Sequence, residues 1–373
     1  MRHVSSAGIA AATLFIDAGA IAANWRALAA RAPTAECAAA VKADAYGTGV
    51  EAAVPVLSRA GCRTFFVAHV EEGRTVRGYA PDAAIYVLNG LLPGSAGLYP
   101  PDRLRPVLGS AEEIAEWSAF VSASGAPGEA AIHVDTGMNR LGLPLPAAKV
   151  IGQDLGGLSF RPSLVMSHFV ASETPRSPIT TRQLAAFAEV RAWFPGIPGS
   201  LANSSGIFLG EAAHHDMVRP GYALYGGQPL ADGPNPMRPV VTLEAPIVQV
   251  RDIGAGETVG YNAQWTAKGP RRLATISAGY ADGYPRSGSS RDNHRGGEAI
   301  VGGVRCPIAG RVSMDLIVVD VTEAPASAVH RGAPVALIDQ TLTVDVAGER
   351  VGSIGYEILT RLGRRYARTI VGG

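Results

Sequence analysis

Val41-Lys42-Ala43-Asp44-Ala45-Tyr46-Gly47-Thr48 is the stretch on which the reading of the fold turns. Ahead of it, Cys37-Ala38-Ala39-Ala40-Val41 is a short run of small apolar residues, the pattern of a buried parallel strand. Behind it, Gly47-Thr48-Gly49 opens a new segment. A lysine therefore stands where a strand gives way to a loop, and in α/β proteins ligands collect at the carboxyl ends of parallel strands. Partial desolvation there can deprotonate Lys42, making it a Schiff-base nucleophile toward an aldehyde or a proton acceptor. Tyr46 follows within reach of a phosphate. The ordinary explanation, a lysine that marks a solvated strand end, stays open on these eight residues alone.

Outward from this stretch, helical and strand patterns alternate. Val50 to Ala60 reads as a helix, Thr64 to Ala68 as a strand, Val70 to Tyr79 as a helix, and Ala84 to Leu88 as a strand ending at Asn89-Gly90. A strand near Arg105 to Leu108, a helix through Ile114 and Trp117, and strands at Ala130 to Val134 and Ser163 to Met166 follow. A helix from Gln183 to Trp193 and short strands near Gly199 to Ala202 and Met217 to Val218 end the series. Such alternation implies parallel strands with crossover helices, and about eight of them predict a (β/α)8 TIM-like barrel over 12–238. A doubly wound open sheet is the alternative.

From Pro239 the texture changes. Val240 to Val250, Leu273 to Ser277, Gly297 to Val304, Leu316 to Val321 and Pro334 to Ile338 alternate with turn residues, which predicts a mostly antiparallel β domain over 239–373. Gly355 to Tyr366 reads as one late helix. Thr13 to Asp17 reads as a strand leading into the helix of Ile21, Asn24, Trp25 and Leu28.

The 373 residues carry a net charge of +1 with both signs interspersed, which argues against a nucleic-acid or polyanion partner. Three scattered cysteines, Cys37, Cys62 and Cys306, form neither a disulfide framework nor a zinc motif, and no metal is expected. They fit a reducing compartment. The apolar stretch Gly8 to Ile16 could pass for a signal-peptide core, but its continuation into a strand and helix favours a cytoplasmic protein. No apolar run reaches the length of a membrane span.

The proposed strand ends gather polar groups: Lys42, Asp135-Thr136 with Arg140, Ser167-His168, Asn203-Ser204 and Arg219. Singly, each has a plain structural explanation: a core histidine, a surface ion pair, a helix N-cap. Together they would need several independent coincidences on one rim. Ser204 precedes an apolar segment read as a helix, whose N-terminus suits a phosphate, and Gly221 permits close backbone approach from the other side. A lysine for an aldehyde and a rim for a phosphate point to pyridoxal 5′-phosphate.

Motifs along almost the whole chain then resemble the alanine racemases: VKADAYG, VDTGMNRLG (Val134 to Gly142), SHF (Ser167 to Phe169), NSSG, RPGYALYG (Arg219 to Gly226), AGYADGYPR (Ala278 to Arg286), GRVSMD (Gly310 to Asp315) and GYE (Gly355 to Glu357). The resemblance implies a pyridoxal-phosphate enzyme interconverting L- and D-alanine, a homodimer with active sites shared between subunits. In it Lys42 would carry the cofactor and act as one base, and Tyr280 of the other subunit would be the opposing base. Tyr46, Ser204, the amides of Gly221 and Tyr222, and Tyr356 would hold the phosphate. Leu88 joins the cofactor-binding set, His168 would orient the ring, and Arg219 would face the pyridine nitrogen. Arg140 and the Met314 backbone would receive the substrate carboxylate, with Asp315 and Arg311 behind them.

The sequence departs from the family pattern at His133, where many members have a lysine that positions the arginine matched by Arg140, and at Thr48, commonly histidine. Alternatives kept open are a racemase of broader specificity (serine, lysine or arginine), a pyridoxal-phosphate homeostasis protein resembling the first domain alone, and a decarboxylase of similar architecture. The last typically faces the pyridine nitrogen with a carboxylate, where this chain has Arg219.

Overall fold

Residues 12–126 and 128–373 are described by the structure, a computed structural model; the apolar residues 8–11 lie outside them. The chain divides into two units, one of Ile21–Arg238 and one in which Pro239–Gly373 is joined by the N-terminal segment through Ala20.

In the first unit seven parallel strands run in sequence order: Ala39–Ala40, Thr64–Val67, Ala84–Val87, Leu104–Leu108, Ala130–His133, Pro162–Met166 and Gly199–Ser200. An eighth, Met217–Val218, pairs in parallel with Glu36–Cys37, and the pairing runs on through Ala38 N to Val218 O (2.9 Å) and Ala40 N to Pro220 O (2.8 Å). On its other side, Asp216 N donates to Gly199 O (3.0 Å) and Arg219 N to Ala202 O (2.8 Å), which closes the ring. The small residues before Lys42 explain the tightness of this seam. Ala38, Ala39 and Val41 are buried, as are Phe65 on the adjoining strand and Leu164 and Val165 farther round the barrel. Each large side chain of that kind contributes roughly 1.5–3 kcal/mol by leaving water.

Crossover helices lie at Val50–Ala60, Val70–Tyr79, Ala111–Ser124, Leu145–Gln153 and Pro178–Trp193. The one at Ala111–Ser124 starts on a reciprocal cap: Ser110 Oγ accepts from Glu113 N (3.1 Å) while the Glu113 carboxylate accepts from Ser110 N (3.0 Å). The helix Leu145–Gln153 is absent from the sequence reading because Pro146 and Gly152 interrupt its pattern; Pro146 falls in its first turn, where its missing N–H costs nothing.

The second unit is built around the long strand Val241–Ile253, whose first seven residues alternate buried and half-buried. It pairs antiparallel with Arg271–Ile276, with Pro334–Ile338 and with Thr13–Asp17. Thr13–Asp17 in turn runs parallel to Ala367–Val371. The N-terminal strand thus belongs to the β unit, whereas the sequence reading placed it with the barrel. Gly297 to Val304, read as one strand, is a hairpin of Glu298–Val301 and Val304–Pro307 turned at Gly302 and Gly303, both with positive φ (56° and 82°). The late helix stops at Thr360, and the chain returns as Ala367–Val371; a helix at Val344–Arg350 also escaped the sequence reading. Among the described residues, no helix is long and apolar enough to cross a membrane.

Candidate active site

Lys42 opens a turn that the sequence reading took for an ordinary loop. Ala43, Asp44, Ala45 and Tyr46 are all left-handed, with φ of 53°, 54°, 52° and 54°. For residues with a Cβ this conformation costs roughly 1–2 kcal/mol each, so four in a row need support. Backbone bonds close the turn, Ala45 N to Val41 O (2.9 Å) and Gly47 N to Ala43 O (2.8 Å). Asp44 Oδ1 accepts from Val50 N (3.0 Å), and the buried Thr48 hydroxyl donates to Ala45 O (2.6 Å). Thr48 is therefore a structural brace. From outside the turn, the Glu72 carboxylate accepts from Ala43 N (2.7 Å).

The half-buried Lys42 amine is pushed below its ordinary pKa by burial first and by the Arg140 guanidinium second, with Glu72 opposing. A larger neutral fraction of the amine follows, as a nucleophile or base requires.

Tyr46 leaves the turn buried and stacks on Tyr225, ring centroids 4.8 Å apart. Tyr225 in turn donates its hydroxyl to Ala40 O (3.0 Å). A Cβ on Gly221 would lie 2.3 Å from the Tyr46 phenol oxygen, so only glycine lets the two approach. Ser204 Oγ accepts from the amides of Gly221 (2.9 Å) and Ala223 (3.2 Å). Phenol, hydroxyl and the backbone at 221–223 thus meet in one cradle, whose donor set suits a phosphate. The segment after Ser204 is only a single 3-10 turn, Gly206–Leu209, and not the helix read from the sequence; the cradle rests on hydroxyls and loop amides.

Arg219 is buried and fully specified. It donates through Nη2 to Ser167 O (2.6 Å) and through Nη1 to Ser200 Oγ, and lies over the Phe66 ring at 5.7 Å. Burial pushes it down to about 9, which leaves it charged at neutral pH. His168 is pushed down to about 3 by burial and then by Arg219, Arg140, Lys42 and His133. His133 falls to about 4 through burial and Arg219, with Asp135 opposing. Both imidazoles are neutral at pH 7. Gln183, fully buried on Pro178–Trp193, ties this rim together by donating to His168 O (2.9 Å) and Thr136 Oγ1 (3.1 Å) and accepting from Val170 N (2.8 Å).

Arg140 is exposed in the loop after Ala130–His133. That loop is fixed by Asp135, whose carboxylate accepts from the amides of Gly137 (2.9 Å), Met138 (2.8 Å) and Asn139 (3.0 Å). With Leu91, Pro93 and Glu113 it lines a cavity of about 450 Å³. Leu88 is half-buried beyond the third strand, its amide on Val67 O (2.8 Å).

The remaining candidates lie in the β unit. Tyr280, half-buried, donates its amide to Ser313 O (3.0 Å), and Ala281 donates to Met314 O (3.0 Å). A Cβ on Gly279 would meet Met314 O at 2.2 Å, so the Gly279-Tyr280 and Ser313-Met314 backbones are pressed together. Arg365 bridges Asp282 (3.1 Å) and Asp315 (2.8 Å), locking the same two motifs. Arg311 Nε donates to Gln264 Oε1 (3.0 Å). Tyr356 is exposed at the start of Gly355–Thr360. Distant motifs thus converge into two clusters, one per unit. Glu72, Gln183 and Tyr225 were missed; a glutamate five residues past the strand end at Val67, and a glutamine within a crossover helix, were the available signals.

The chain matches the family model "Alanine racemase, N-terminal domain" over residues 16–229 and "Alanine racemase, C-terminal domain" over 240–370. It is 60% identical to an alanine racemase of Methylobacterium nodulans, covering 100% of this chain and 99% of that one. With the biosynthetic alanine racemase of Agrobacterium fabrum the identity is 47%, over 95% of this chain and 92% of the relative. Among solved structures, alanine racemase from Bartonella henselae with covalently bound pyridoxal phosphate superposes with a TM-score of 0.91 at 38% identity, covering 97% and 100% of the two chains. The biosynthetic enzyme of Pseudomonas aeruginosa gives 0.89 at 34%, over 97% and 99%. With a strand-end lysine, a cradle of phenol, hydroxyl and loop amides and a tyrosine loop in place, and with the two family models matched over residues 16–229 and 240–370, this chain belongs to the alanine racemase family.

Proposed function

We propose that the protein interconverts L-alanine and D-alanine with pyridoxal 5′-phosphate, using Lys42 and Tyr280 as opposing bases. The observation that carries this is the barrel rim itself, where the strand ends hold a partly desolvated lysine on a braced turn, a cradle of phenol, hydroxyl and loop amides, a charged arginine and a neutral histidine. Bound there, the cofactor would supply an electron-accepting ring that acidifies the substrate Cα proton.

The protein's own groups would do the rest. Tyr46, Ser204, Gly221, Tyr222 and Tyr356 would hold the phosphate, and Leu88 and His168 would bound the ring. Arg219 would face the pyridine nitrogen as a cation that keeps its own proton, which would leave that nitrogen unprotonated and limit the electrons the ring draws. That limit would favour return of the proton to Cα. The Lys42 amine takes or returns a proton on one face of Cα, and the Tyr280 phenol does so on the other. Arg140 and the Met314 backbone receive the substrate carboxylate, with Asp315 and Arg311 steadying that side. His133, neutral where many members have a lysine, would give Arg140 no charged partner at that position.

Lys42 and Tyr280 belong to different units of the chain. We place them in one site through a homodimer, with Lys42 from one protomer and Tyr280 of the partner subunit. Three buried, unpaired cysteines support a cytoplasmic location, since an oxidising compartment would favour pairing or loss of such thiols. A homeostasis protein confined to the barrel would have no use for a β unit that matches the racemase C-terminal domain.

The test is direct. Purified protein with L-alanine should yield D-alanine by coupled D-amino-acid oxidase detection without release of CO2. Borohydride reduction should fix the cofactor on the peptide bearing Lys42. Gas release in place of inversion, or reduction product on another lysine, overturns the assignment.

A further inference from the structure

The turn bearing Lys42 is held by its own backbone and also by a carboxylate that reaches it from outside. That carboxylate belongs to Glu72, half-buried on the helix Val70–Tyr79. Its Oε1 accepts from Ala43 N (2.7 Å), and its Oε2 accepts from Ala68 N (2.7 Å) and His69 N (3.3 Å). Ala43 N–H sits next to Lys42 at the start of the left-handed turn, where a helical turn leaves its amides without internal partners. Ala68 and His69 follow the strand Thr64–Val67, the hydrogen-bonded neighbour of Ala39–Ala40. One carboxylate therefore staples two adjacent strand ends across the rim.

We propose that Glu72 is a positioning residue for Lys42: by accepting from Ala43 on one oxygen and from Ala68 and His69 on the other, it fixes the left-handed turn on the barrel rim and sets where the Lys42 amine and the Tyr46 phenol are presented. Three amide donors converge on it, which only a doubly accepting group satisfies. A glutamine would turn its NH2 toward one of those donors. An aspartate keeps the charge but is one methylene short of reaching both strand ends at once. Glu72 also faces Lys42 as its one opposing negative charge, against Arg140.

This rests on Lys42 being the cofactor-bearing base, and the experiment separates the two ideas. Holoenzyme variants Glu72→Gln and Glu72→Asp are compared with the parent and with Glu71→Gln, whose exposed ion pair with Arg74 is remote in chemistry from the site. The measurements are kcat and KM for L-alanine, cofactor stoichiometry, and the visible circular dichroism of the bound cofactor, which reports its asymmetric orientation. With the cofactor fully bound, both Glu72 variants should lose kcat roughly ten- to a hundredfold, the scale of an ångström-sized misplacement. KM should stay within about threefold, and the dichroic band should change in shape or amplitude, while Glu71→Gln matches the parent in every readout. A fully loaded Glu72→Gln with kcat within twofold of the parent and an unchanged dichroic band overturns the proposal, as does an equal loss in Glu71→Gln. Should Glu72→Gln fail to fold, Glu72→Asp decides on the same criteria. If the parent fails to racemise alanine, the functional reading falls, and the dichroism comparison still tests Glu72.

Discussion

At Gly221 the absence of one carbon atom decides whether a cradle exists. Its hydrogen leaves room for the Tyr46 phenol, which a methyl group would meet at 2.3 Å. Gly221→Ala should therefore displace the phenol while leaving the barrel folded, weakening cofactor binding roughly ten- to a hundredfold, the worth of one hydrogen bond to a charged group. A spectrophotometric titration with pyridoxal phosphate measures this, and an unchanged Kd would remove Tyr46 from the phosphate site. Tyr280 invites a different measurement. Because free L- and D-alanine have equal energies, kcat/KM must fall equally in the two directions in Tyr280→Phe, by about 10² to 10⁴ if it is a base. Hydrogen exchange breaks that symmetry. In D2O one enantiomer should still exchange its α proton with retention, through Lys42, while the other should not; exchange of both at the parental rate would sink the two-base reading. Lys42 was legible in the sequence because a short apolar run ended on it, whereas Glu72 was not. Its meaning lies in three amides, one of them 29 residues away in the chain.

At the scale of elements, the strand ends concentrate positive charge and keep their histidines neutral. His168 and His133 are held at about 3 and about 4 by burial and by the arginines facing them. An unfolded chain takes up a proton on each near pH 6.5, while the folded chain does not until far lower pH. Stability therefore rises with pH across that interval and is lost as pH falls from about 6.5 toward the folded values. Between pH 6.5 and pH 5, above most carboxylate transitions, the loss should reach up to about 2 kcal/mol per histidine. Urea midpoints should drop over this interval in the parent and drop less in His168→Gln; parallel slopes would place the effect elsewhere. The left-handed turn shows why local pattern was insufficient. Ala43, Ala45 and Tyr46 favour ordinary conformations, and the bonds made by Asp44, Thr48 and, from outside the turn, Glu72 help hold the other hand.

Over the whole molecule, the succession of barrel strands was legible because parallel strands and crossover helices leave opposite periodicities in the sequence. The membership of Thr13–Asp17 was not. Its alternating pattern says that one face is buried, and nothing about which sheet buries it. In the structure it fills the place between Val241–Ile253 and Ala367–Val371. A fragment of 239–373 alone should therefore lack cooperative thermal unfolding by circular dichroism, and adding a peptide of residues 12–20 should restore it. A cooperative transition in the unaided fragment would show the strand to be dispensable.

That placement also sets a timetable for biosynthesis. Thr13–Asp17 leaves the ribosome early, yet its parallel neighbour at Ala367–Val371 is made about 350 residues later, a delay of roughly 20 to 70 s at ordinary elongation rates. The segment Ile21–Arg238 is complete well before then, and once Val241–Ile253 is made the strand ahead of it has a neighbour on one edge only until Ala367–Val371 arrives. A nascent-chain chaperone or rapid partner-strand synthesis would matter most in that interval, and slowing translation after Arg238 should raise aggregation more than slowing it before.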